Sequence, residues 1–215
     1  MDRISKLRGS DSLRRKAGNK TPRSITLIVC EGETERDYFE AARRKYGLTT
    51  AEVIVPENTK GSAPISVVRF AENKCEKDGG YDQIFCVFDR NGHESYDRAR
   101  NKIKDLKYRN KKPLPIEEAI SVPCFELWIL LHFEQTDRCF AKCEDVESHI
   151  RNQHMPDYRK AHPPTANLLM GKLDVALKNA HWLEKRAKSN GFCPYTSVHH
   201  VIRHFKGVAK KANST

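Results

Sequence analysis

Residues 83–89, QIFCVFD, set five apolar side chains in a row from Ile84 to Phe88, leaving no polar face to give to water. A run this short, rich in aromatic and β-branched residues, predicts a strand buried on both faces. Such strands belong to parallel sheets covered by helices on each side. Similar runs occur in SITLIVC (24–30), AEVIVP (51–56) and LPIEEAISV (114–122). Between them the apolar period becomes helical, with Tyr38, Phe39, Ala42 and Tyr46 on one face and Tyr96, Ala99, Ile103 and Leu106 on another. Thr34 is placed to cap the first helix and Gly47 to end it, while Pro64 and the Gly79-Gly80 pair bracket the second. The order predicts an α/β fold with a parallel four-stranded sheet flanked by helices.

Beyond the fourth strand, CFELWILLHF is apolar nearly all round and predicts a buried helix. The rest is helical: a short segment over 144–154, one long helix over 165–191 with Leu169, Leu173, Ala176, Leu177 and Ala180 in phase, and a last one over 196–212. The chain reads as a basic disordered arm over 1–22 and a single domain over 23–215. That domain has a core over about 24–133 and a helical C-terminal elaboration over about 134–215.

No apolar run approaches the roughly 20 residues of a membrane span, and no signal sequence opens the chain. The expectation is a soluble cytoplasmic protein with no membrane partner. Seven scattered cysteines fit reduced thiols serving as small hydrophobes. Cys139 and Cys143 lack the tight spacing of a zinc motif, so with His149 and His154 they read as ordinary surface residues. A net charge of +11 points to an anionic partner, nucleic acid above all. Lys60 in the NTKGS loop and the basic helix carrying Arg98, Arg100, Lys102, Lys104 and Lys107 are the candidate phosphate contacts.

Ligands in parallel sheets bind beyond the carboxyl ends of the strands. After the first strand, CEGETE supplies Glu31, Glu33 and Glu35; after the third, FDRNGHE supplies Asp89, Arg90, Asn91, His93 and Glu94. Both loops leave the same edge, so these carboxylates can converge on one Mg²⁺ or Mn²⁺, which takes oxygen ligands and shares them with substrate phosphates. His93 is placed for acid–base work or a substrate contact. Glu126, inside the apolar helix, must be paired or functional. His132 reads as a satisfied core histidine, Trp128 and Trp182 as core. His200 and His204 share a helix face, but no acid nearby completes a metal set.

An apolar strand followed by Glu-Gly-x-Thr-Glu, then a strand ending in Asp-x-Asn, resembles the TOPRIM fold of topoisomerases, primases and OLD-type nucleases. More narrowly, CEGETERDYF, CVFDRNGH, SVPCFELWILLHF, YRK and CPYTSV resemble the RloB family, TOPRIM-like proteins of bacterial phage-defence loci. The resemblance runs from about Ser24 to Phe205, and PCFELWILLHF is its most specific part. It implies a TOPRIM-like nuclease in which Glu31, Asp89 and Asn91 hold the metal, Glu31 also does acid–base work, and Glu35 and Glu126 match further family acids. Asp-Arg-Asn replaces the two aspartates of many TOPRIM proteins, which removes one negative charge from the ion.

These readings give a Mg²⁺- or Mn²⁺-dependent nuclease effector of a prokaryotic anti-phage system. Glu31, Asp89 and Glu35 are its catalytic candidates, and Lys60, Arg90, Arg98 and Lys102 its nucleic-acid contacts. The resemblance also implies an ABC-like ATPase partner, an activity that this chain, with no Walker A sequence, does not supply itself. The alternatives are an inactive TOPRIM-like adaptor that binds nucleic acid or the ATPase, and a primase-like nucleotidyl transferase. Substrate, trigger and oligomeric state, a homo-oligomer included, stay open.

Overall fold

The structure, a computed structural model, describes residues 24–57, 63–109, 112–189 and 191–213. The basic arm over 1–22 and Lys60 lie outside the described residues. The apolar runs form β1 (Thr26–Cys30), β2 (Ala51–Ile54), β3 (Gln83–Asp89) and β4 (Ile116–Val122), which pair in parallel in the order β2-β1-β3-β4. The expectation of four strands is corrected to five. Tyr195–Thr196 forms β5, antiparallel to β4 at the edge. Two residues are too few to show a period, so sequence patterning has nothing to register there.

Helices α1 (Glu33–Lys45), α2 (Pro64–Asp78) and α3 (Tyr96–Tyr108) connect the parallel strands. Alternation along each strand splits the core in two. Leu27, Val29, Ile84, Cys86, Phe88, Ile116 and Ile120 pack toward α2 and α3. Ile28, Cys30, Phe85, Val87 and Ala119 pack toward α1 and the C-terminal helices. Both faces are therefore dry, which is why QIFCVFD carries no polar alternation.

The C-terminal part comprises α4 (Glu126–Leu130), α5 (Cys143–Gln153), α6 (Pro163–Leu169), α7 (Leu173–Arg186) and α8 (Val198–Asn213). Every residue of α4 is buried, as its apolar surface demands. The single long helix expected over 165–191 is broken by a 3₁₀ turn at Met170–Lys172. Gly171 sits at that break, where its poor helix propensity weakens the helical ladder. The expected Thr34 cap is also corrected. Gly32 is the N-cap, and Thr34 Oγ1 accepts the backbone N–H of Ala161 at 3.0 Å, tying α1 to a distant loop. Gly47 follows α1 with a φ of 63°, the left-handed geometry a helix end often takes.

The reduced-thiol reading holds for Cys30, Cys75 and Cys86, but Cys124 and Cys143 form one disulfide and Cys139 and Cys193 another. The partners are 19 and 54 residues apart, so only the folded chain brings them together. No helix among the described residues is long and apolar enough to cross a membrane.

Ile28, fully buried in the middle of β1, tests the two-faced core. Ile28→Ala should lower the free energy of unfolding by about 2–5 kcal/mol in a urea titration, with little change in slope.

Candidate metal centre

The chain leaves β1 for the sheet edge at β2, then returns across β1 to begin β3. Connections therefore diverge between the carboxyl ends of β1 and β3, the place where open α/β sheets form a crevice. Glu31 follows β1 and Asp89 ends β3. The backbone N–H of Glu31 bonds to Val87 O at 3.0 Å, carrying the sheet pairing one residue further. Glu31 Oε2 then accepts the backbone N–H of Asp89 at 2.9 Å, and Oε1 faces His93 Nε2 at 3.2 Å. Asp89 Oδ2 in turn accepts the N–H of Phe125 at 3.0 Å, at the start of α4.

Glu35 enters from the first turn of α1 and is buried. The glycine of Glu-Gly is explained by close approach, not by φ, which is extended at −143°. A Cβ on residue 32 would lie 3.0 Å from Glu35 Oε2. Without that Cβ the carboxylate can fold back over the backbone N–H groups of Gly32 and Glu35 itself.

Glu126 closes the inner wall from α4. Its Oε1 accepts the Tyr158 hydroxyl at 3.2 Å and pairs with Lys160 Nζ at 3.1 Å, while Lys160 also reaches Glu147 of α5 at 2.9 Å. Cys143 Sγ of the Cys124–Cys143 disulfide lies 3.0 Å from Glu126 Oε2.

The electrostatics follow from crowding. Burial pushes the Glu31 carboxyl up to about 8, with Glu35 adding to the rise and the Asp89 N–H opposing it. Burial pushes Glu35 up to about 7; its helix-end N–H groups and Lys160 pull it back, and Glu126 raises it. Asp89 is raised by burial and then by Glu35, Glu126 and Glu31. Burial works against the Lys160 ammonium, but Glu126 and Glu147 outweigh it and hold it near about 12. The four acids that sequence reasoning singled out thus gather from three separate stretches of the chain.

The family model for RloB-like proteins matches residues 26–205. The chain belongs to the RloB-like family. The matched span takes in all five strands and every acid of the cluster. No curated protein and no solved structure matches the chain.

Other expected residues are placed as follows. Asn91 is exposed, with φ of 23° and its N–H on Pro123 O at 3.0 Å, so it also serves the turn after β3. Arg90 is exposed and Glu33 pairs with Arg36. The basic face of α3 is largely neutralised: Arg100 pairs with Glu118, Lys102 with Glu72 at 2.7 Å and Lys107 with Glu117. Lys102, an expected phosphate contact, thus has an ion-pair partner in Glu72, whereas Arg98 and Lys104 are exposed. His132 is a satisfied core histidine, its ring between Tyr38 Oη at 3.0 Å and Trp128 O at 3.0 Å. Trp128 is fully buried and Trp182 lies under Arg186.

Sequence reasoning missed Tyr158, Lys160 and Glu147. Lys160 is one of 39 lysines and arginines, in a stretch with no regular period, so nothing local distinguishes it. The short YRK string was its one trace.

A carboxyl whose pKa is higher folded than unfolded binds a proton that the unfolded chain releases. Stability should therefore fall as pH rises from the ordinary value near 4.5 and level off above about 8, where folded Glu31 has also ionised. In chelator, the Glu31 contribution to that decline is at most about 1.4 kcal/mol per pH unit. Thermal melts of Glu31→Gln from pH 5 to 9 should show a flatter profile and higher stability near pH 8 than the native chain; a steeper profile contradicts the assignment.

Proposed function

We propose that this RloB-like protein is a divalent-cation-dependent nuclease of a prokaryotic antiviral system, hydrolysing phosphodiester bonds of DNA or RNA. The observation that carries the reading is the convergence of Glu31, Glu35, Asp89 and Glu126 on one crevice, in a chain of net charge +11. Buried carboxylates that raise one another's pKa cost stability, and such clusters concentrate at functional sites. The diverging connections at β1 and β3 support the same crevice as the place where substrate enters.

The donor set is all oxygen, which suits Mg²⁺ or Mn²⁺ over softer ions. Among the described residues these acids do not form a set of three ligand atoms within 4.8 Å of one another. That looseness fits an ion taking one or two carboxylates and filling its shell with water and substrate. Glu31 and Asp89 would hold it, with the Asn91 carbonyl oxygen as a neutral third donor and Glu35 in support. When bound, the cation neutralises charge on the phosphate and lowers the pKa of a coordinated water.

The chain's own groups do the rest. Glu31 Oε1, facing His93 Nε2 at 3.2 Å, is placed to take or pass a proton. Lys160 and Tyr158 fix the rotamer of Glu126 on the inner wall. Arg90 and Arg98, both exposed, are the phosphate contacts of this reading. The resemblance adds an ABC-like ATPase as the partner that supplies nucleotide hydrolysis.

Asn91 favours a second reading, an adaptor that binds nucleic acid or the ATPase without cutting, since it leaves the second metal position uncharged. One experiment separates the two: incubation of the protein, with and without the ATPase, with plasmid, single-stranded DNA and total RNA in Mn²⁺. Cleavage is expected, reduced ~10²–10⁴-fold by Glu31→Ala and by Asp89→Ala. Salt-sensitive binding with uncut nucleic acid in every condition would establish the adaptor. On the binding side, Arg98→Glu should lower the slope of log affinity against log salt by about 0.9 per lost duplex phosphate contact.

A further inference from the structure

A second group of candidate ligands lies outside the acidic crevice. Glu134, after α4, holds a histidine on each carboxylate oxygen: His149 Nε2 lies 3.1 Å from Oε1 and His154 Nε2 2.9 Å from Oε2. The three ligand atoms lie within 4.8 Å of one another. His149 comes from α5, and His154 caps that helix through its N–H on Ile150 O at 2.9 Å. Both rings are held by packing. His154 stacks on Phe133 with centroids 5.2 Å apart, and His149 leans on Phe140 at 5.7 Å.

We infer that Glu134, His149 and His154 form a Zn²⁺-binding site, distinct from the acidic crevice and independent of the nuclease reading. Two imidazoles and one carboxylate are a borderline donor set that suits Zn²⁺, with one position left for water. Bond lengths of about 2.0–2.2 Å in a tetrahedral site put ligand atoms about 3.3 Å apart. The two imidazoles now sit 3.1 and 2.9 Å from opposite oxygens of Glu134, and with all three ligand atoms within 4.8 Å of one another a small turn of the carboxylate and rings brings them onto one ion. His149 also borders an open depression lined by Arg138, Phe140, Asp145, Ser148 and Asn152, which gives the ion a route in.

The comparison with Glu184, His199 and His200 shows why this triad is the better site. That group has the same composition and similar spacing, 3.1 and 2.8 Å. It also supplies the acid that His200 lacked in the sequence, while His204 turns instead to Thr26 Oγ1 at 2.8 Å. His199, however, is fully buried and its Nδ1 has no hydrogen-bond partner among the described residues. A metal on Nε2 would force the proton onto Nδ1 and strand a buried donor. His149 and His154 are a fifth exposed, and neither Nδ1 is a buried orphan.

The test is calorimetric titration of Zn²⁺ into chelator-stripped full-length protein, with Co²⁺ absorption spectra in parallel. The expected result is one Zn²⁺ equivalent lost in a His149→Ala/His154→Ala double variant and kept in Glu184→Gln. Co²⁺ should give d–d bands without sulfur-to-metal charge transfer, which excludes the cysteines. Because His154 caps α5, His149→Gln is the second variant; it keeps the helix position and should weaken Zn²⁺ by at least about 10-fold. Unchanged stoichiometry and affinity in both histidine variants would overturn the site, as would a thiolate charge-transfer band in the native protein.

Discussion

The Glu31 carboxylate accepting the Asp89 N–H at 2.9 Å joins the carboxyl ends of β1 and β3, and the rest of the crevice is arranged around that contact. It fixes where Asp89 begins its own bond to Phe125, and so where α4 starts and where Glu126 can point. A charge-assisted bond of this kind contributes about 1.5–3 kcal/mol, whereas removing a carboxylate from water costs several. The bond therefore positions Glu31 without making its ionised form comfortable, which is what a pKa near 8 expresses. The deficit is met by the sheet, whose strands are buried on both faces over most of their length.

Charge is balanced unevenly around the crevice. Lys160 lies between Glu126 and Glu147, so its positive charge serves the inner wall. Glu35, buried, and Asp89, half-buried, lie beside Glu31, whose Oε1 faces His93. A cluster built only for stability would put its cation where the mutual repulsion is greatest. Here the ammonium sits to one side, and the strand ends are left with their carboxyl groups raised.

Much of this was legible because parallel-sheet topology converts sequence order into spatial order. Once TLIVC and QIFCVFD are strands, Glu31 and Asp89 must emerge on one edge, although 58 residues separate them. Glu126 was legible as a charge inside an apolar helix. What escaped depends on irregular or very short segments. Tyr158 and Lys160 lie in a stretch without period, β5 is two residues long, and Thr34 found a tertiary partner in place of a helix cap. The acidic partners of the α3 basic run escaped for another reason. The run's spacing is that of a solvated face, and only the fold reveals that Glu72, Glu117 and Glu118 are waiting opposite it.

Helix α5 links the two clusters. Cys143 at its start is bonded to Cys124, two residues before Glu126, and Glu147 one turn later pairs with Lys160. His149 and His154 at its far end reach Glu134, a few residues beyond α4. An 11-residue helix is a rigid rod of about 16 Å, so it is held at both ends to the segment that carries Glu126. Glu126 therefore has its surroundings set twice, by α4 from within and by α5 from outside.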